Sequence, residues 1–128
     1  MPATDAAAAR RAAERRGRRA EAVAAWFLRL KGYRVLARRY RTPVGEIDLV
    51  VRRGKLVAFV EVKARPTLDE GSEAVTARGR RRVAQAAAGW LAAHPEAAGL
   101  ALRFDVVVAP PWRAPRHLAG AFDAEGAA

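Results

Sequence analysis

Three residues of this chain have the types and spacing to do chemistry together: Asp48 in the run GEIDLVV, and Glu61 and Lys63 in AFVEVKAR. Their neighbours are strongly apolar, and polar groups inside such runs are costly unless they are used. Side chains alternate along a strand, so Glu46, Asp48 and Val50 share one face, Ile47, Leu49 and Val51 the other, and Glu61 and Lys63 lie together on the next strand. Gly54-Lys55 between the runs suits a two-residue hairpin turn with Gly in its first central position. With Arg53 paired to Leu56, counting back sets Asp48 opposite Glu61 and Glu46 opposite Lys63, with Cβ atoms ~5 Å apart. An Arg53-Gly54 turn would shift the pairing by two and keep the same face.

Two carboxylates at that distance repel, and desolvation makes the pair worse. A hard divalent ion with oxygen ligands, Mg²⁺ or Mn²⁺, is the natural partner. Lys63 can then contact a metal-bound water or a phosphate oxygen, orienting or deprotonating the nucleophile or offsetting charge in the transition state. Metal-activated water attacking a phosphodiester is the reaction these parts suit. The competing reading is a solvated sheet face with Glu46–Lys63 as a cross-strand ion pair.

The elements that must position these residues follow from patterning. Residues 6–31 read as one long helix ended by Gly32, with Val23, Phe27 and Leu30 as its apolar stripe, Trp26 beside it, and Gly17 weakening its middle. Residues 1–16 are then a basic arm that can fray. Strands are expected at Tyr33–Tyr40, Glu46–Arg52 and Leu56–Arg65, and the polar segment DEGSEAVTARG reads as loop. A second helix, Arg78–His94, presents Val83, Ala87, Trp90 and Leu91 inward and stops at Pro95. A final strand, Leu102–Ala109, is β-branched and buried, and the first three strands form an antiparallel meander to which it can run parallel. Residues 17–109 therefore form an α/β domain of order α-β-β-β-α-β, with a mixed sheet flanked by helices. Residues 110–128 read as a loose Pro/Ala-rich tail.

The 128-residue chain has 24 Lys and Arg against 13 Asp and Glu, a net charge of +11, which points to a polyanionic partner such as nucleic acid. The excess is mostly arginine, whose planar fork suits phosphate, although an Ala- and Arg-rich composition also reflects base bias in a genome. Cys is absent, which excludes disulfides, thiolate metal sites and cysteine nucleophiles. No apolar run is long enough to span a membrane and no secretory signal is recognisable, so a cytoplasmic protein is expected. Arg78, Arg80, Arg81 and Arg82 crowd the start of the second helix, where positive charge opposes the helix dipole unless phosphate offsets it; a solvated face is the alternative. Arg65 is a further phosphate-binding candidate or a rim charge. Glu46 is a fourth acid or a supporting ion pair with Lys63 or an arginine. Asp105 reads as a cap or an arginine's partner, Trp26 and Trp90 as core, and Trp112 as exposed or as a packing anchor. His94 and His117 have no second His or Cys near them in sequence, which argues against zinc.

GEIDLVV followed by AFVEVKAR resembles the signature of the YraN-like family of bacterial proteins. That family is similar to the archaeal Holliday-junction resolvases and to the wider PD-(D/E)XK nuclease superfamily. The resemblance covers about residues 17–108. It implies a restriction-endonuclease-like core whose acids are Glu21 on the first helix, Asp48 on the second strand and Glu61 with Lys63 on the third. Ile47-Asp48 departs from the superfamily's Pro-Asp and resembles the resolvase branch. Glu21 would serve as a metal or water-mediated ligand, or else is a solvated helix charge. Gln85 falls where some resolvase-like nucleases carry a glutamine near the site.

The function implied is a Mg²⁺- or Mn²⁺-dependent endonuclease acting on branched DNA, with a homodimer matching the two equivalent cuts of a four-way junction. No base-reading motif is present, which favours recognition of backbone and shape. The alternatives are a non-catalytic nucleic-acid-binding accessory protein on the same fold, which has no use for an acid cluster, and an RNA- or ribosome-associated protein.

Overall fold

In a computed structural model, the backbone of residues 2–65 and 77–122 is described, with side chains from residue 5 and, in the second segment, from residue 79. The chain runs α1 (Pro2–Leu30), β1 (Arg34–Thr42), β2 (Gly45–Arg53), β3 (Leu56–Lys63), α2 (Ala77–Ala93), a 3-10 turn (Pro95–Ala97), β4 (Ala101–Val108) and β5 (Arg116–Phe122). One five-stranded sheet has the order β1-β2-β3-β4-β5; only β3 and β4 are parallel. This is the α/β fold expected, consistent with a restriction-endonuclease-like core.

The hairpin that sets the register forms at Gly54, whose φ of +61° a residue with a Cβ rarely adopts. Arg53 pairs with Leu56, and the ladder runs from there to Leu49↔Val60. The crossover through α2 returns β4 alongside β3, from Leu56↔Ala101 to Lys63↔Val108. Each sheet face buries its own apolar layer. Leu49, Val51, Ala58 and Val60 pack under α1, while Val50, Val57 and Phe59 pack under α2 with Val83, Ala87 and Trp90. Phe59 meets Trp90 edge-on, with ring centroids 5.8 Å apart.

Two expectations are corrected. The buried stripe of α1 is Ala20, Ala24, Ala25 and Leu28, whereas Val23, Trp26 and Leu30 are exposed, Trp26 at 65%. Small alanines let the helix approach the sheet closely, and the larger apolar residues are left outside. The segment read as a loose tail contains β5, antiparallel to β4 and pairing Val106 with Leu118 and Val108 with Arg116. Its sequence, RHLAGAF, has little β-branched character, but an edge strand gains from a partner's unpaired backbone and from Leu118 and Phe122 packing on the sheet. The first helix is the single long one expected, running through Gly17 as far as Leu30.

Candidate active site

The regular alternation of β2 breaks at Asp48. Ile47 belongs to the layer under α2 and Leu49 to the layer under α1, so these neighbours of Asp48 do not share the single face that strict pleating implies. The opposing stretch of β1 is also irregular: it bulges between Val35 and Ala37, and Arg39 has a φ of 52°, the one non-glycine residue with positive φ among those described. On the other side the β2–β3 pairing stops at Leu49↔Val60, one step before Asp48 would meet Glu61. The Val62 N–H donates instead to Asp48 Oδ2 at 2.8 Å. The Asp48 carboxylate thus sits where β2 parts from β3, and its position is fixed by backbone.

Glu61 lies against it. Burial, then the negative charge and hydrogen bond of Asp48, push the Glu61 carboxyl up to about 8. Burial, then the charges of Glu21 and Glu46, push Asp48 up to about 6 against the opposing pull of the Val62 N–H. The pair therefore retains a proton near neutrality. Lys63, next along the same face of β3, has its Nζ 3.7 Å from Glu61 Oε1 and partly offsets the repulsion.

Glu21 reaches the same end of the sheet from α1, on the buried side of that helix and not its solvated side. Its Oε1 accepts a hydrogen bond from Arg39 Nε at 2.6 Å. Arg39 is a residue that sequence reasoning misses, because a strained backbone on an exposed strand leaves no mark in residue type. Glu21, Arg39, Arg41, Glu46, Ile47 and Asp48 line a notch of about 40 Å³. A space of that size holds a water or an ion. Glu46 is half exposed and 3.7 Å from Arg41, so its cation is an arginine and not Lys63.

Among the described residues, no three His, Cys, Asp or Glu side chains converge into a ready-made metal cage. The donor set nonetheless suits a hard cation: two partly buried, mutually repelling carboxylates beside a small polar notch, with Glu21 held by Arg39. Mg²⁺ commonly takes one or two carboxylates and fills its remaining positions with water.

The other predicted residues are spread around this centre. Arg65 is exposed just beyond β3, Arg81 and Arg82 are exposed in the first turns of α2, and Arg80 stacks on Phe122 with 5.6 Å from its guanidinium carbon to the ring centroid. The Arg78 side chain lies outside the described residues, as does most of the loop before α2. A Cβ on Gly45 would fall 1.9 Å from the Arg82 carbonyl oxygen, so the start of α2 presses directly on β2 beside Glu46. Gln85 is exposed and makes no hydrogen bond to the acids. Asp105 is fully buried with Arg103 in a two-point pair at 2.7 Å, as an arginine's partner should be, and it also accepts from His117 Nε2 at 2.7 Å. Trp90 is core; Trp112 is 69% exposed. No helix is long and apolar enough to cross a membrane among the described residues.

Fold and site together define an α/β protein with an acid pair and a lysine at the end of a mixed sheet. Residues 20–109 match Uncharacterised protein family UPF0102, and the chain belongs to that family. A UPF0102 protein of Methylorubrum extorquens (strain PA1) is 57% identical over 125 residues, covering 98% of each chain. One from Rhodopseudomonas palustris (strain BisB18) is 59% identical over 124 residues, covering 96% of this chain and 92% of its own. A third, from Bradyrhizobium diazoefficiens, is 58% identical over 113 residues, with 88% and 85% covered.

Proposed function

We propose that this protein is a divalent-metal-dependent endonuclease acting on branched or structured DNA. One observation carries the reading: Asp48 and Glu61 are held together and partly buried, with Lys63 3.7 Å from Glu61. Such a pair burdens the fold unless a cation joins it.

Asp48 and Glu61 would hold the cation, which would supply Lewis-acid activation at a phosphodiester. To do so they must release the proton they share, so metal affinity rises with pH. The Val62 N–H keeps the Asp48 carboxylate aimed while this happens. Lys63 stands where it can contact a phosphate oxygen and offset negative charge developing during attack. Glu21, fixed by Arg39, adds negative potential to the notch and is placed to hold water there. Arg81 and Arg82, like Arg65, offer phosphate contacts around the centre, with recognition by backbone and shape. Because a four-way junction presents two equivalent cuts, a homodimer is the form expected to act on it.

The test is cleavage of a labelled four-way DNA junction beside linear duplex, single strand and an RNA duplex, with Mg²⁺, Mn²⁺ or EDTA. Cuts that need metal and fall about 10²–10³-fold in Lys63→Ala, the range for loss of one group that stabilises developing charge, and vanish in Asp48→Ala are the expected result. Tight binding with no cut under any metal would replace this reading with a binding module.

A further inference from the structure

Beyond Lys63 the chain leaves the sheet through Ala64 and Arg65, and the Ala109 N–H returns to the Lys63 carbonyl at 2.8 Å. That hydrogen bond ties the connection between β4 and β5 to the end of β3. Between this connection and α1 lie two adjoining cavities, of about 150 and 260 Å³, which share Arg16, Ala64 and Pro111. Arg19 and Arg113 line the first; Arg65 and Trp112 line the second. Among the described residues, no acidic one lines either cavity.

Two features of this groove need an occupant. Arg16, Arg19, Arg65 and Arg113 are all exposed, and none has an ion-pair partner among the described residues. Four guanidiniums gathered with no carboxylate among the described residues repel one another and form a focus of positive potential. Beside them Trp112 presents a large ring that is 69% exposed. An aromatic platform set among arginines is how proteins hold unpaired nucleic acid, with bases stacking on the ring while cations follow the backbone. Paired bases, already stacked inside a duplex, cannot use the ring in that way.

We infer that this groove binds an unpaired DNA strand, with a base stacked on Trp112 and its phosphates on Arg16, Arg19, Arg65 and Arg113. It includes Ala64, the residue that follows Lys63 in the chain. The substrate class thereby narrows from branched DNA in general to branches that carry a single-stranded arm. The inference rests on the nuclease reading for its purpose, but not for its measurement.

Binding is measured by fluorescence anisotropy in EDTA, where nothing is cut, using labelled oligo-dT, a blunt duplex of equal length and oligo-rU. Trp112→Ala should weaken oligo-dT binding at least fivefold, as removal of one base–aromatic stack does. Duplex affinity should stay within twofold, and Trp112→Phe should restore most of the affinity for oligo-dT. The double variant Arg16→Ser/Arg113→Ser should lower the salt slope for oligo-dT by about 1.4, since each phosphate neutralised on a single strand accounts for about 0.7. Unchanged oligo-dT binding in Trp112→Ala, an equal weakening on duplex, or tighter binding of oligo-rU than of oligo-dT would each overturn the inference. If the groove behaves as expected while no substrate is ever cut, the nuclease reading fails and this one stands.

Discussion

The acid pair should make the protein less stable as the solution becomes more alkaline, and one substitution should remove most of that penalty. Glu61 has its carboxyl raised from an ordinary value near 4.5 to about 8, chiefly by burial, and Asp48 is raised to about 6. Both folded-state values lie above the unfolded ones. The folded state therefore holds more protons across this window, and stability is lost as pH rises through it. For a single group the slope reaches about 1.4 kcal/mol per pH unit. Asp48 and Glu61 titrate as one coupled pair, so we expect a loss on the order of 2–4 kcal/mol between pH 5 and pH 8. Asp105 stays ionised throughout that range and does not contribute. Glu61→Gln keeps the shape, removes the charge and should leave a shallower profile, with only the slope that Asp48 retains from burial and from Glu21 and Glu46. At pH 8 it should be about 2 kcal/mol more stable than the parent, the direction expected where a site is built at a cost to the fold. Urea unfolding followed by tryptophan fluorescence, at half-unit pH steps without divalent metal, measures both curves. A parent protein whose stability is level from pH 5 to 8, or a Glu61→Gln protein less stable than the parent at pH 8, would refute the assigned electrostatics.

Other features of the fold make equally definite claims. Gly45→Ala drives a methyl to 1.9 Å from the Arg82 carbonyl oxygen and forces α2 off the hairpin, so the urea midpoint should fall by the equivalent of about 1–3 kcal/mol. His117→Ala removes a hydrogen bond to the buried Asp105 carboxylate and should cost about 1.5–3 kcal/mol at pH 7 in the same assay. Burial pushes Asp105 up, yet His117, Arg103 and the Gly120 N–H together hold it down at about 2. Its contribution is therefore complete above about pH 4 and lost as pH falls towards 2, which acid unfolding of wild type against Asp105→Asn would reveal. Trp26→Ala, at a 65%-exposed position on α1, should move the midpoint by less than about 0.5 kcal/mol, unlike Trp90→Ala in the core, which should cost about 3–5 kcal/mol.

The strand order and hairpin register were more legible in the sequence than the packing around them. Gly54-Lys55 could be read as a turn because its backbone demand is local, and the register of β2 on β3 followed by counting. Counting failed at its last two pairs, where β2 departs from β3, Asp48 takes a backbone N–H as its partner and Glu46 meets Arg41 in place of Lys63; no residue type announces such an opening. The face of α1 was misread because an alanine-rich helix has apolar positions on every side. Ranking by side-chain size chose Val23, Phe27 and Leu30, whereas close approach to the sheet chose Ala20, Ala24 and Leu28. Strand β5 and the Asp105–His117 contact were hidden for a related reason. Their stabilisation comes from a partner strand and a buried network linking residues 33, 103, 105 and 117, and neither leaves a periodic signature.

The role of the acid pair is tested most directly by a calorimetric titration of Mn²⁺ into the protein at pH 7, run in two buffers of different ionisation enthalpy. If Asp48 and Glu61 are kept for a divalent cation, binding saturates, releases up to about one proton from the pair, and disappears in both Asp48→Asn and Glu61→Gln. Saturable binding that survives both substitutions, or no binding at millimolar Mn²⁺, would contradict the assignment of this pair as a metal site.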